Sequence, residues 1–495
     1  MRTVAELLRW RARRHPDLPA TWFQERTRTF GELDASSSAL GGGLVEELGI
    51  KPGDRVAILD KNSDDYLELL FALDKAGAVG VPVNWRLTAS EVGKVVDDAA
   101  PALLVVGEEF RASADQVSCR VLGFGELPRN GGDPRRDSEE AVTWQLYTSG
   151  TTGLPKGAML SNRNLFGLTG TIGFEAPELT EGARALVAMP LYHIGGCGWA
   201  LAVLTMGSTA VVVREVVPQE LLQVIAEERV NSGFLVPAVL LFLTQLPDVQ
   251  GADLSCLRNI LYGASPISQE LLRRSIEVFQ CRFTQVYGLT ETTGAITALR
   301  FEDHQDERLL SCGRPMFGAE IKVVDPLDEE VPHGEIGEIV YRGSGVMEGY
   351  WGRSEDTATT IRNGWLHTGD AGTMDAKGFV YIRDRIKDMI VSGGENIYPA
   401  ELESVLADHP DVADVAVIGV PDDRWGETVK AIVVTKPGRV LADQELIDWS
   451  RDRLAGFKRP RSVDFVGAIP RNPSGKILKR QLREPYWAER ERQVN

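Results

Sequence analysis

Short apolar runs alternate with helix-period segments over much of the chain. Residues 54–60, DRVAILD, form a β-rich run, and residues 62–77, NSDDYLELLFALDKAG, carry apolar positions at helical spacing behind Asn62 and Ser63, two good N-cap residues. AVGVPV at 78–83 returns to a β-rich pattern, so the three segments predict a βαβ unit. The alternation recurs at ALLVVG (102–107), at TAVVV (209–213) leading into PQELLQVIAEER (218–229), and at SCLRNILYGAS (255–265). Repeated strand-then-helix order predicts an α/β fold with parallel-rich sheets flanked by helices, whose ligands bind at the carboxyl ends of strands.

After Asp370 the texture changes. GFVYIRDRIKDMIVSGGENIYPAELESVLADH at 378–409 sets short strands beside one helix, as in a small α+β module, with the charged residues 383–388 as connector. The 495 residues are enough for two to four domains, and the expected division is a large N-terminal domain over 1–386 and a small mobile C-terminal domain over 387–495. The uncharged stretch 194–213 is long enough to span a bilayer, but glycines at 195, 196, 198 and 207 break it. It reads as a buried helix, a turn and a strand, with no transmembrane segment. The Arg-rich N-terminus, MRTVAELLRWRARRHP, reads as a surface helix docked through Leu7, Leu8 and Trp10, with a transit peptide as the alternative.

Charge narrows the partners. Lys+Arg total 54 against 71 Asp+Glu, a formal net charge of −17, and so acidic a body repels nucleic-acid backbones and anionic membranes. Any phosphate must then be held by local geometry. The five cysteines stand singly, without CxxC pairs, which implies neither a disulfide framework nor a zinc site and suits a reducing, cytoplasmic setting.

Four clusters carry candidate chemistry. YTSGTTGLPKG at 147–157 follows a β-like run and interleaves Ser149, Thr151 and Thr152 with Gly150 and Gly153 ahead of Lys156. Glycines admit backbone N–H groups to an anion, hydroxyls add donors and lysine adds charge. It is not a Walker A loop, because Pro155 and Gly157 flank the lysine and no magnesium-ligating hydroxyl follows it. In QVYGLTETTG (285–294), Tyr287 and Gly288 suit stacking on a base and Glu291 suits a hard cation, while Thr290 could equally cap a helix. GWLHTGDAG (364–372) offers Asp370 for ribose hydroxyls or for closing a turn, with Arg385 and Lys387 downstream. PRNPSGKILKR (470–480) places Lys476 in a Pro/Gly/Ser loop.

Together with PLYHIGG (190–196), YGASPIS (262–268), GYW (349–351) and SGGENIYPAELE (392–403), these motifs resemble the adenylate-forming superfamily, the AMP-dependent synthetases and ligases that include acyl-CoA synthetases, peptide-synthetase adenylation domains and beetle luciferases. The resemblance implies an acid–thiol ligase: ATP and a carboxylate give an acyl-adenylate and pyrophosphate, then a thiol displaces AMP. It implies ATP binding by Thr148, Ser149, Gly150, Thr151, Thr152, Gly153 and Lys156 at the β- and γ-phosphates and by Thr290 at the α-phosphate. Adenine would lie between Tyr287, with Gly288, and Gly263, Ala264 and Ser265; Asp370 and Arg385 would take the ribose, and Glu291 would ligate Mg²⁺. Lys476 would bridge carboxylate and α-phosphate, and Lys387 would be the hinge on which the small domain rotates between half-reactions.

The resemblance further implies an acyl pocket lined by His193, Trp199, Phe234, Gly263, Gly288, Gly294, Ala295 and Ile296, with His193 beside the pantetheine route. PLYHIGGCGW lacks the Asp that amino-acid-activating members carry shortly after this position, which favours an acid with a neutral tail. DDRWGE (422–427) and GFKRPR (456–461) resemble CoA-binding stretches, implying CoA contacts from Trp425, Phe457, Lys458, Arg459 and Arg461 beside Gly393 and Gly394. CoA is the expected co-substrate, and an acyl carrier protein is the alternative acceptor.

Overall fold

The computed structural model describes residues 2–115, 117–148, 155–451, 453–471 and 477–488, with the backbone alone for Asp306. They fall in two compact units, Met1–Ile321 with Tyr341–Leu366, and Lys322–Val340 with His367–Asn495.

The first unit holds two large sheets. In the seven-stranded one, Arg55–Leu59 runs parallel to both Val79–Pro82 and Leu103–Val106. The helix Asp64–Ala76 joins the first two of these strands. Ser63 caps it by accepting from the Tyr66 N–H, and Gly77 ends it at φ +71°, where a side chain would be strained. The predicted βαβ unit is therefore present. This helix is apolar on most sides because it is enclosed: Tyr66, Leu69, Ala72 and Leu73 are almost fully buried. Each such large apolar side chain contributes about 1.5–3 kcal/mol by leaving water.

The nine-stranded sheet is parallel through Thr209–Val212, Arg184–Val187, Ser232–Leu235, Asn259–Gly263 and Arg282–Leu289, and antiparallel at its edges. The glycine-broken stretch forms the helix Ile194–Thr205, a turn at Gly207 and the strand Thr209–Val212. No described helix is long and apolar enough to cross a membrane. The N-terminal segment forms the helix Val4–Arg14, which buries Leu7 and Leu8 and ties Arg9 to Asp133 at 2.7 Å and Asp137 at 2.9 Å. It docks as the surface-helix reading expects.

The second unit is α+β. Residues 370–374 pair antiparallel with Val380–Arg385. A separate sheet joins Glu395–Ile397, Ile390–Ser392, Gly426–Thr435, Val412–Asp422 and Ser462–Phe465. Ile390, Ile397, Leu402, Leu406, Val417 and Val429 form a core of their own beneath the helix Pro399–Ala407. That core begins at Ile390, whereas the compact unit takes in Lys322–Val340 and everything from His367 onward; a division at residue 386 remains a proposal.

Candidate active site

In the first unit, Val142–Thr148 and Lys156–Ser161 pair antiparallel with Thr148 opposite Lys156, so both ends of the hydroxyl- and glycine-rich stretch are brought together. Ser149, Gly150, Thr151, Thr152 and Gly153 lie outside the described residues. The GYW segment borders these ends: Gly349 and Tyr350 pair with Met159 and Ala158, and the Trp351 N–H donates to the Gly157 carbonyl at 2.8 Å. Tyr147 donates to Asp98 at 2.7 Å, and burial followed by that carboxylate raises its phenol well above the usual range. Lys156 holds Asp356 at 2.6 Å and lies 5.2 Å from the Tyr350 ring. To bind a phosphate it must exchange one anion for another.

Residues 290–293 form a turn between the antiparallel strands Arg282–Leu289 and Gly294–Leu299. Thr292 fixes it, accepting from the Leu289 N–H at 2.8 Å and donating to the Gly294 carbonyl at 2.7 Å. Thr290 therefore caps no helix, and that reading of the segment is corrected: the polar run continues a hairpin. The turn presents Glu291 to two hydroxyls. Tyr350 donates to Oε1 at 2.8 Å, and Thr148 Oγ1 lies 3.4 Å from the same oxygen. Burial first, and then the Glu291 charge, push the Tyr350 phenol far up, so it stays a donor.

Tyr287 and the Gly263 turn lie on neighbouring strands, with Gly263 opposite Val286. Both glycines here are required by close approach: a Cβ on Gly288 would fall 1.8 Å from the Gly294 carbonyl oxygen, and one on Gly263 would fall 2.1 Å from that of Val286. Ala264 adopts φ +66°.

His193 precedes the helix Ile194–Thr205 as its N-cap residue. Burial, with the Arg86 charge as a lesser cause, pushes its imidazole down to about 4, and Nε2 has no hydrogen-bond partner among the described residues. It is neutral near pH 7. Phe234 packs against Gly195, and Leu168 and Ile194 pack against Gly294 at φ +102°. Ile296 is buried and Ala295 half-buried. Trp199 is buried in the core and donates its indole N–H to the Leu186 carbonyl at 2.8 Å.

In the second unit Asp370 and Arg385 are register partners on paired strands, with Arg385 Nε 2.7 Å from Asp370 Oδ1. Asp370 is thus a strand residue holding a guanidinium and does not merely close a turn. Lys387 lies in the 3-10 turn Ile386–Asp388, where burial lowers its amine despite the neighbouring Asp388. Arg483 grips that turn from the helix Lys479–Trp487, at 2.7 Å to Asp388 and 3.4 Å to the Lys387 carbonyl. Lys476 lies outside the described residues; its flanks Arg471 and Ile477 form an antiparallel bridge.

Among the expected CoA contacts, Gly393 at φ +62° donates to the Trp425 carbonyl at 2.8 Å, and Gly394 adopts φ +86°. Two guanidiniums approach the Trp425 ring, Arg461 at 5.5 Å and Arg424, which the sequence does not single out, at 4.6 Å. Phe457 is 43% exposed. Lys458 instead binds Glu401 at 2.8 Å, and Arg459 donates to the Leu454 and Arg451 carbonyls. These two cations brace their own domain.

The AMP-binding enzyme family matches residues 8–351, and its C-terminal domain matches residues 401–476. The chain is 41% identical over 482 residues to the feruloyl-CoA synthase of Amycolatopsis sp., covering 96% of this chain and 97% of that one. It is 39% identical over 512 residues to the fatty acid–[acyl-carrier-protein] ligase ScoC of Streptomyces coeruleorubidus, covering 100% and 98%. Its fold is similar to that of o-succinylbenzoate coenzyme A synthetase (MenE) from Bacillus subtilis in complex with ATP and magnesium, with a TM-score of 0.88 and 32% identity over 96% of this chain and 98% of that one. The chain belongs to the AMP-binding enzyme family, within the adenylate-forming superfamily. It is an AMP-forming acid–thiol ligase.

Proposed function

We propose that this enzyme activates a carboxylic acid with ATP to an acyl-adenylate, releasing pyrophosphate, and passes the acyl group to CoA, releasing AMP. The observation that carries the reading is the meeting of Thr148, at the edge of the hydroxyl- and glycine-rich stretch, with Glu291 and Tyr350. Adenylation brings a carboxylate to an anionic phosphate, a repulsion of about 4 kcal/mol at ~4 Å and an effective dielectric near 20, so cations and donors must stand around the reacting atoms. Lys476 is assigned to the carboxylate and α-phosphate oxygens, Thr290 to the α-phosphate, and Thr148 through Gly153 with Lys156 to the β- and γ-phosphates. Tyr287, Gly288 and the Gly263-Ala264-Ser265 backbone are assigned to adenine, and Asp370 with Arg385 to the ribose hydroxyls. His193, neutral and without a hydrogen-bond partner at Nε2 among the described residues, is assigned to the place where the acid and thiol meet in this scheme.

Mg²⁺ suits Glu291. Among the described residues no cluster of three or more His, Cys, Asp or Glu could hold a metal unaided, and this ion ordinarily takes one or two carboxylates with phosphate oxygens and water. When bound it would neutralise phosphate charge. Glu291→Gln should accordingly raise the Mg²⁺ concentration needed for half-maximal pyrophosphate exchange several-fold; an unchanged titration at normal turnover removes Glu291 as the ligand.

The acid is read as neutral-tailed, in keeping with the aromatic and fatty acids in the relatives' names. CoA is the proposed acceptor, presented to Trp425, Phe457 and Arg461 beside Gly393 and Gly394; with Lys458 and Arg459 engaged elsewhere, Arg461 is the preferred phosphate contact of the three cations. The free cysteines among the described residues fit a reducing compartment such as the cytoplasm. A carrier-protein acceptor is the second reading, favoured by the full-length similarity to ScoC. A pyrophosphate-exchange screen over carboxylic acids, followed by thioester assays with free CoA and with phosphopantetheinylated carrier protein, separates the two. Thioester formation with CoA is expected. Product with carrier protein alone overturns the CoA assignment, and absence of acid-dependent exchange overturns the function.

A further inference from the structure

We propose that Glu338 is a positioning residue for the nucleotide, holding the backbone turn that aims Asp370. Its carboxylate engages two groups of the segment before Asp370: Oε2 meets His367 Nδ1 at 2.8 Å, and Oε1 accepts from the Gly369 N–H at 2.9 Å. Gly369 sits at φ +69°, in the left-handed region, at the position immediately before Asp370. The adjoining residue Ile339 continues the grip, its carbonyl accepting from Thr368 Oγ1 at 2.7 Å, while Thr368 Oγ1 in turn accepts from the Asp370 N–H at 3.1 Å. Arg385 closes the arrangement, with Nη1 donating to the Thr368 carbonyl at 3.2 Å and Nε on Asp370 Oδ1 at 2.7 Å.

Asp370 is 4% exposed and has a short side chain, so the position of its carboxylate follows the backbone at 369–370 rather than a choice of rotamers. A hydrogen-bonded ligand site must hold its groups to within about 0.5 Å, which supporting hydrogen bonds provide. Glu338 supplies such a bond at the residue immediately before Asp370, whose backbone is in the left-handed region. The carboxylate is half-buried between a ring N–H and a main-chain N–H, and its work is geometric. What matters is the acceptor oxygen opposite Gly369, at the reach of a glutamate.

The inference rests on the ribose reading of Asp370, and the test separates the two. The full chain is assayed by pyrophosphate exchange with ATP, 2′-deoxyATP and 3′-deoxyATP, using the panel acid that gives the fastest exchange. The unsubstituted enzyme should prefer ATP, and Asp370→Ala should abolish the preference. Glu338→Asp keeps the charge but withdraws the oxygen by one methylene; it should raise KM for ATP about tenfold, the size of loss typical when an outer hydrogen-bond partner is removed. The deoxy nucleotides and the KM for the acid should be little affected, since removing the ribose contact twice costs nothing further. Glu338→Gln keeps an acceptor at the same reach and should retain most of the preference. If Glu338→Asp lowers kcat/KM for all three nucleotides by one factor, or leaves the preference intact, Glu338 supports only the fold and the proposal fails. If Asp370→Ala leaves the preference unchanged, the ribose reading fails first and takes the proposal with it.

Discussion

Lys476→Ala should lower acid-dependent pyrophosphate exchange by at least about 10²-fold while thioester formation from a supplied acyl-adenylate stays within a few-fold of the unsubstituted enzyme. The asymmetry follows from where charge develops. In the first half-reaction two anions meet, and one lysine lying against both removes their repulsion as the pentacovalent phosphorus forms. In the second half-reaction the phosphate leaves as AMP and a thiol attacks a carbonyl, so a lysine placed for the first step has no comparable charge to neutralise. Removal of one such electrostatic donor costs about 10²–10³-fold in related chemistry. Measuring both half-reactions on the same preparation checks this, and equal losses in the two would withdraw the assignment.

The parts of the fold that local pattern determines are the parts legible in the sequence. Helix Asp64–Ala76 is announced by its Ser63 cap, its apolar period and its Gly77 stop, all within the segment itself. The segment after Tyr287 was ambiguous because TETT behind an apolar run matches a helix start as well as a turn. The structure decides through Thr292, whose hydroxyl bridges Leu289 and Gly294, and through pairing with the next strand. Asp370 was ambiguous for the same reason, since its partner Arg385 comes from a separate strand.

Chemistry that acts at second hand was not legible at all. Tyr350 belonged to a recognised motif, but nothing in GYW says that its hydroxyl reaches Glu291. Glu338 reaches the Asp370 segment only through tertiary packing. Periodicity marks Trp199 as facing inward and does not distinguish a pocket wall from a core residue bonded to Leu186. The basic residues at 458–461 read as a phosphate patch, and the pairing of Lys458 with Glu401, remote in sequence, is not visible in that run.

The second large effect concerns motion. Lys387→Pro should keep pyrophosphate exchange within a few-fold while lowering CoA-dependent turnover by about 10²-fold or more, the penalty expected when reacting groups cannot be brought into line. Proline fixes φ near −65°, within the range a 3-10 turn uses, and removes the N–H. Ile386–Asp388 forms such a turn, and Arg483 holds it through Asp388. A backbone change at this point is proposed to switch the small domain between the two half-reactions, as hinge residues do in other closures. The pose retained is assigned to adenylation, in which Lys476 reaches ATP. Single-turnover assays of each half-reaction read the partition directly. A folded proline variant that runs both steps at the unsubstituted rates places the pivot elsewhere and removes the division at residue 386.

In the proposed reaction the acid attacks the α-phosphate, and the fate of its oxygens reads that step out. When the acid that supports exchange is supplied with ¹⁸O in both carboxylate oxygens, the full chain turned over with ATP and CoA should release AMP carrying one ¹⁸O per molecule. One labelled oxygen should remain in the thioester, and the pyrophosphate should stay unlabelled. Label in a phosphate or pyrophosphate product, or AMP formed without label, would contradict activation through an acyl-adenylate.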